Sequence, residues 1–517
     1  MLLHVMMIVS LGIITRDARA QEGFSHIVDN PSSDSWIRLV SMDLEGDTLT
    51  LMGAYGDVSF GVAGLILMQY DTLGNYLNHN VLVDSAGSFN YIDSHQSADV
   101  LRTSRGTLLV PFSNFNRGTR SNVCEVGRDL EIKNVWKFEV DSVFTVFSIE
   151  LVELVDRFIV FGLMQALDYR TFVLAVAFDK DGNELWQHVY GDPNSIGFNF
   201  GSVYKVDDNE IVVGAVDVYS NPQDEDDKLN KTWIFAIDSL GMEKWSWKSQ
   251  PRDDGVWIAY NLHQHPAGGW IFNTLDHYYL EVAPNYFEIR PIPKVVSLDA
   301  QFENETILDL NNGLVDYNQR YTDAILVDDY YYLVGQAGVE YTFDLISLGG
   351  RITKVPANFT ASTVPTWDVI DTPAIGPSLA YLQGVTVAPS GSVFACGRVS
   401  NGSSQNHELG WLLKVTADGC IDTLCEMTSP VSFIPEIPQF RVYPNPAVDH
   451  ITIDPGRPTD EFKFELFDLH GRLHLRKDVQ SLTKIRLDDQ LASGMYVWKI
   501  SDARITSQSR TGKIVIK

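Results

Sequence analysis

Phe178-Asp-Lys-Asp-Gly-Asn-Glu-Leu-Trp186 is the stretch on which the fold turns. It sets an Asp, a side-chain acceptor, three residues ahead of a Gly that tolerates positive φ. Those are the needs of a tight hairpin between two strands. The pattern returns as Ile237-Asp-Ser-Leu-Gly-Met-Glu-Lys-Trp245, as Tyr70-Asp-Thr-Leu-Gly-Asn-Tyr-Leu77 and, shortened, as Val415-Thr-Ala-Asp-Gly419. Ahead of these turns lie short apolar runs: Thr48-Leu-Thr-Leu-Met-Gly53, Leu108-Leu-Val-Pro-Phe112, Phe158-Ile-Val-Phe-Gly162 and Ile211-Val-Val-Gly214. Trp270-Ile-Phe272, Tyr331-Tyr-Leu-Val-Gly335 and Val393-Phe-Ala-Cys-Gly397 complete seven copies.

A repeat of this kind, one every ~45–65 residues, reads as a stack of equivalent supersecondary units. Each unit reads as four antiparallel strands, the blade of a propeller. The expectation is an all-β chain with a seven-bladed β-propeller over residues 21–427. Six or eight blades also fit, because the copies at 258–295 and 321–360 are degraded. In its turn and aromatic the repeat resembles the quinoprotein-like, repeat-rich propellers of secreted bacterial proteins.

The two ends of this region complement each other. Phe24-Ser-His-Ile-Val-Asp-Asn-Pro-Ser-Ser33 aligns without gaps on Trp186-Gln-His-Val-Tyr-Gly-Asp-Pro-Asn-Ser195, 162 positions later. The second segment follows its Asp-Gly turn as an outer strand, whereas the first has no preceding partner. The last blade lacks its outer strand after Ala417-Asp-Gly419, which would leave an open sheet edge. Phe24, His26, Ile27 and Val28 are therefore expected to pair antiparallel with Trp411 to Val415 and close the ring.

The formal charge of −28 argues against nucleic acid and anionic lipid as partners, both of which need a basic surface. The apolar run Leu2–Ile14 is short for a bilayer span and is followed by Ala18-Arg19-Ala20 before Gln21. Small residues at Ala18 and Ala20 fit a signal-peptidase site, so residues 1–20 read as a signal peptide and the exported chain starts near Gln21. Export makes a small disulfide loop the natural reading of Cys420 and Cys425. Cys124 and Cys396 sit in strand-like runs and read as buried thiols.

After Glu426 the composition changes. Residues 428–439 hold three prolines and read as an extended linker. Residues 440–517 carry 13 Lys+Arg and 10 Asp+Glu, so this piece is +3 while the rest is −31. Seven short alternating runs, Arg441–Tyr443, His450–Ile453, Phe462–Phe467, Leu473–Lys477, Lys484–Leu487, Met495–Ile500 and Lys513–Ile516, argue a small Ig-like β-sandwich.

Tyr443-Pro444-Asn445-Pro446, Leu466-Phe-Asp-Leu-His-Gly471, Leu491-Ala-Ser-Gly494-Met-Tyr496 and Lys513-Ile-Val515-Ile-Lys517 stand in the order and spacing of a known module. They resemble the type A C-terminal sorting domain of the type IX secretion system of Bacteroidetes-like bacteria. The resemblance implies Sec export to the periplasm and recognition by the type IX machinery at the outer membrane. It also implies removal of the domain, with the cargo released or attached to the cell surface.

No nucleophile elbow, zincin helix or Walker loop is present. Asp179-Lys-Asp-Gly182 is similar to the start of a calcium loop, but the equivalent turns lack the second Asp, so a hairpin is the better reading. His263-Gln-His265 with His277 has the ligand types for zinc, against a plain polar loop. Asp224-Glu-Asp-Asp227 is a candidate cation loop, against a solvated one. Tyr330-Tyr-Tyr332 and Trp245-Ser-Trp247 have the chemistry to stack sugars, and the period-two spacing of blade packing. No metal, cofactor or catalytic residue is assigned. The function expected is recognition of a glycan or protein by an exported propeller. The alternative is a secreted glycan- or peptide-active hydrolase or lyase using carboxylates at the channel.

Overall fold

The computed structural model describes residues 23–28, 35–57, 62–83, 99–113, 120–141, 143–192, 195–221, 224–251, 255–283, 286–310, 320–337, 349–371, 378–401 and 408–421. In the tail it describes 441–443, 447, 449–454, 462–468, 472–479, 483–487, 491–502 and 509–516. The expected signal peptide and the linker lie outside these residues. The chain divides into two compact units, Met1–Glu426 and Met427–Lys517.

In the first unit the described strands form seven four-stranded antiparallel sheets. We number the blades 1 to 7 by their innermost strands: Ser35–Glu45, Leu101–Arg102, Val143–Glu153, Gly197–Asp207, Gly255–Gln264, Arg320–Val327 and Ser378–Val387. Seven apolar clusters fill the seams, one between each pair of neighbouring blades. They include the seam from blade 7 back to blade 1, where Phe394, Cys396 and Leu412 meet Leu39, Leu51 and Met68. The expected propeller is thus the observed fold.

The repeated Asp-Gly turn has the predicted chemistry. Asp179 Oδ1 accepts the N–H groups of Asp181 and Asn183 at 2.9 and 2.8 Å, and Gly182 sits at φ 85°. Asp71 and Asp238 do the same for their own turns. These carboxylates hold hairpins together.

The ring closes through its ends. Phe24–Val28 is the fourth strand of blade 7, antiparallel to Glu408–Val415, with Phe24 opposite Lys414 and Val28 opposite Gly410. Trp411 Nε1 donates to Ser25 Oγ at 3.0 Å. Alternation along the strand sends Val28 into the blade 7–1 cluster and Ile27 against the blade 6–7 cluster, so one segment serves two seams.

One irregularity recurs. The innermost strands of blades 1, 3, 4, 5, 6 and 7 each carry a β-bulge near mid-strand, between Leu39 and Ser41, Ser148 and Glu150, Phe200 and Ser202, Tyr260 and His263, Tyr321 and Asp323, and Leu382 and Gly384. A bulge turns the strand and re-aims its side chains. It also pushes a carbonyl toward the second strand, which explains glycines that end the apolar runs. A Cβ at Gly53, Gly335 or Gly397 would overlap the carbonyl oxygen of Arg38, Arg320 or Tyr381 respectively.

The second unit has all seven expected strands in two sheets. Arg441–Tyr443, His450–Asp454 and Thr483–Arg486 form one sheet, and Leu473–Val479, Phe462–Asp468, Gly494–Asp502 and Ser509–Ile516 the other, around a core that includes Ile451, Phe464, Leu466, Ile500 and Ile514. Among the described residues no helix is long and apolar enough to cross a membrane.

Candidate functional site: the axis and loop-bearing mouth of the propeller

A residue at or just after each bulge, and Asp99 ahead of the inner strand of blade 2, links its blade to the next. Ser41 Oγ of blade 1 accepts the Val100 N–H at 3.2 Å and donates to Asp99 Oδ1 at 3.3 Å. The Asp99 N–H donates to the Ile149 carbonyl of blade 3 at 3.0 Å. Glu150 Oε2 accepts the Val203 N–H of blade 4 at 2.6 Å, and Ser202 Oγ accepts the Leu262 N–H of blade 5 at 2.7 Å. The Asn261 amide sets its oxygen 3.2 Å from the Ala324 N–H of blade 6 and its nitrogen 3.1 Å from Asp323 Oδ1. Asp323 Oδ2 accepts the Val385 N–H of blade 7 at 2.8 Å. Gly384 completes the circuit, leaving room for the Ser41 backbone, which a Cβ would press upon. Ser41, Asp99, Glu150, Ser202, Asn261, Asp323 and Gly384 are one girdle, each a different answer to the same geometric need.

Three girdle members, Asp99, Glu150 and Asp323, are acids that repel one another. Burial raises the Asp99 carboxyl to about 6, against the Ser41 hydrogen bond. Burial, and then repulsion from Asp99, pushes Glu150 and Asp323 well above the carboxylate range. Buried acids with raised pKa values are the usual mark of general-acid chemistry. Here, however, Glu150 and Asp323 bind backbone N–H groups across the seams, so their geometry is that of a staple.

The inner strands run the same way, so their N-terminal ends share one face of the ring. The pairs Ala337–Gly349 and Ser400–Glu408 end their hairpins on that face. The Asp turns occupy the opposite face. Three residues before the girdle stand Arg38 in blade 1, Arg320 in blade 6 and Tyr381 in blade 7. Arg398, paired with Tyr381 in the neighbouring strand, lies 4.9 Å over the Tyr381 ring. Its Nη1 is 3.0 Å from Glu408 Oε1, and Arg38 pairs with the other oxygen of the same carboxylate. On this face of blade 3, Phe144 and Tyr169 are exposed with ring centroids 5.7 Å apart.

The sequence candidates fall elsewhere. His263 Nε2 lies 3.3 Å from the Ala324 carbonyl and His265 Nε2 3.0 Å from that of Ala357; burial lowers the His263 imidazole to about 4. The His277 side chain lies outside the described residues, and among those no group of three ligands able to hold a metal is found. The Asp224–Asp227 side chains also lie outside them. Tyr331 is buried and donates to the Asn261 carbonyl at 2.7 Å, while Trp245 and Trp247 pack on Phe302 of blade 5. These aromatics serve the blades. Cys124 and Cys396 are buried, and burial raises the Cys124 thiol to about 12. Cys425 lies outside the described residues.

In the tail, Tyr496 is buried and its hydroxyl donates to the Ala492 carbonyl at 2.8 Å. Gly494 pairs with Ile516, Val497 with Lys513, and the Val515 carbonyl accepts the Ala447 N–H at 2.7 Å. Tyr443 pairs with Thr452. Pro444, Asn445, Pro446, Gly471 and Lys517 lie outside the described residues.

The girdle and seams define a closed β-propeller carrying a separate β-sheet tail. Residues 441–517 match the family of the secretion system C-terminal sorting domain, which marks the chain for export by the type IX system to the cell surface or beyond. No curated protein matches the chain. Among solved structures it is similar to the β-propeller domain of the trilobed protease from Pyrococcus furiosus, described as having an open velcro topology. That match has 11% identity, 73% of this chain, 93% of that one and a TM-score of 0.41. The apocarotenoid oxygenase of Synechocystis matches at 11% identity, covering 78% and 96%, with a TM-score of 0.39. A subtype N10 neuraminidase-like protein of a little yellow-shouldered bat influenza A virus matches at 10%, covering 76% and 97%, with 0.37.

Proposed function

We propose that this protein is a ligand-binding propeller without catalysis, working as a secreted or outer-membrane surface-attached recognition module. Residues 1–20 take it through Sec into the periplasm, and residues 440–517 then hand it to the type IX machinery. Cys420 and Cys425 form a small disulfide; mass spectrometry of the unreduced peptide tests this, and two free thiols would refute it.

The observation that carries the binding reading is the division of labour around the axis. Glu150 and Asp323, candidates for hydrolytic chemistry, are committed to N–H groups of neighbouring blades. The face opposite the Asp turns instead carries a cluster of guanidinium groups and exposed aromatic rings, which recognise without reacting. The test is a glycan and protein array probed with residues 21–426. Saturable capture of a ligand released intact is the expected result. Cleavage products in the recovered ligand would move the assignment to the hydrolase alternative, and no capture at all would remove it.

A further inference from the structure

Among the described residues, the mouth at blades 6, 7 and 1 gathers three arginines in a strongly acidic chain. Arg38, Arg320 and Arg398 converge there, and the only carboxylate ion-paired with them among the described residues is Glu408. Arg398 is only 8% exposed, and its repulsion from Arg38 and Arg320 adds to burial in lowering its pKa. Guanidinium groups crowded in a poorly solvated place repel one another unless an anion joins them. Their hydrogen-bonding capacity is also incomplete. Nε of Arg398 and Nε of Arg320 are buried without a partner, and Arg320 has no ion pair among the described residues. Gln336, opposite Arg320 in the next strand and 4% exposed, leaves its Oε1 without a donor. Orphaned buried polar atoms are rare in native proteins and call for a missing partner.

The missing partner must bring two chemistries together. Guanidinium donors call for an oxyanion, which they grip through paired N–H groups. The Gln336 oxygen calls for a hydroxyl donor beside that oxyanion. Phe144 and Tyr169, exposed on the same face, offer flat apolar surfaces of the kind sugar rings lie against. Resting on the reading that this face binds ligand, we propose that Arg320, Arg398 and Gln336, with Arg38 held by Glu408, form a subsite for an acidic polysaccharide. Its carboxylate or sulfate group would lie between the guanidinium groups, with a neighbouring sugar hydroxyl on Gln336.

The test is calorimetric titration of residues 21–517 with four probes: a galacturonate hexasaccharide, a sulfated galactan hexasaccharide, cellohexaose and hexaglutamate. One acidic saccharide should bind and weaken as salt rises, while cellohexaose and hexaglutamate should not. Which of the two binds distinguishes carboxylate from sulfate as the source of the oxyanion. Arg320→Gln should weaken that binding at least tenfold with an unchanged melting temperature. Arg320→Lys, which keeps the charge without the fork, should fall between. Failure of both acidic saccharides, equal binding by Arg320→Gln, or hexaglutamate binding as tightly would each overturn the subsite. An array ligand bound equally by wild type and Arg320→Gln would do so too while leaving the binding role of this face intact.

Discussion

Asp323 Oδ2 accepts the Val385 N–H at 2.8 Å, so a carboxylate of blade 6 holds the backbone of blade 7 at the ring axis. Its other oxygen accepts the Ala324 N–H at 2.8 Å. Removing the side chain strands a buried donor, which costs about 1–3 kcal/mol. Asp323→Ala should therefore lose roughly that much in urea unfolding, whereas Asp323→Asn, which keeps an acceptor for Val385, should lose clearly less. Equal losses would mean that charge, and not the bond across the seam, is what matters.

The girdle acids also set a pH dependence. Their folded pKa values lie above the unfolded carboxylate value of about 4. The folded state thus holds protons more tightly than the unfolded one. Their contribution is fully present below about 4 and is lost as pH rises through the folded values, about 6 for Asp99. Hairpin acids such as Asp179 and Asp299, held low mainly by Asn183 and Asn304, act in the opposite sense and lower in pH. Of the three, Asp99, at about 6, titrates between pH 5 and 7. Melting temperature should fall by a degree or two over that interval in the wild type, and by less in Asp99→Asn. An unchanged slope in Asp99→Asn would exclude Asp99 as a source.

The bulges make the motif glycines irreplaceable for a steric reason. A Cβ at Gly335 or Gly397 meets a backbone carbonyl oxygen, which cannot rotate away as a side chain would. Gly335→Ala and Gly397→Ala should each destabilise by about 2 kcal/mol or more, the range of severe overpacking. Chemical denaturation of the two variants checks this, and a loss under about 0.5 kcal/mol would show that the bulge relaxes.

Those glycines also show what the sequence discloses. Turns and apolar runs were legible because their chemistry repeats residue for residue: Asp and Gly in the hairpins, Gly at the close approach. The girdle was not legible because only its geometry repeats. Ser41, Glu150, Asn261 and Asp323 all accept an N–H from the next blade, so selection for the bond leaves no common letter. The arginine mouth is hidden for another reason, since Arg38 and Arg320 lie far apart in the chain. A usable signal existed: counting fifteen residues back from Gly53 and from Gly335 lands on Arg38 and Arg320.

Passage from the periplasm across the outer membrane should depend on the tail. Its two sheets surround their own apolar core, and residues 441–517 carry the sorting-domain match. Deleting 440–517 should leave a folded propeller inside the cell envelope of the native host, measured by fractionation and by the melting temperature of the retained protein. Normal surface delivery of the truncated chain would show that another segment carries the signal.

The ring itself should depend on its first described strand. Val28 is fully buried between blades 7 and 1, Phe24 packs against the same cluster, and Ile27 packs on the seam between blades 6 and 7. Removing residues 21–30 takes those side chains out of two seams and bares the edge of Glu408–Val415. Burial of a Val or Ile is worth about 1.5–3 kcal/mol, so losing this strand should cost on the order of 3 kcal/mol or more. An exposed edge of this kind also pairs with other chains, so the truncated protein should associate at concentrations where the full chain does not. Ser25→Ala removes only the hydroxyl that accepts from Trp411 Nε1, and should cost about 1 kcal/mol with no association. Thermal unfolding and sedimentation of the three proteins measure both effects. A truncated chain that melts like wild type and stays monomeric would mean that blade 7 holds with three strands and that the pairing of Phe24–Val28 does not secure the ring.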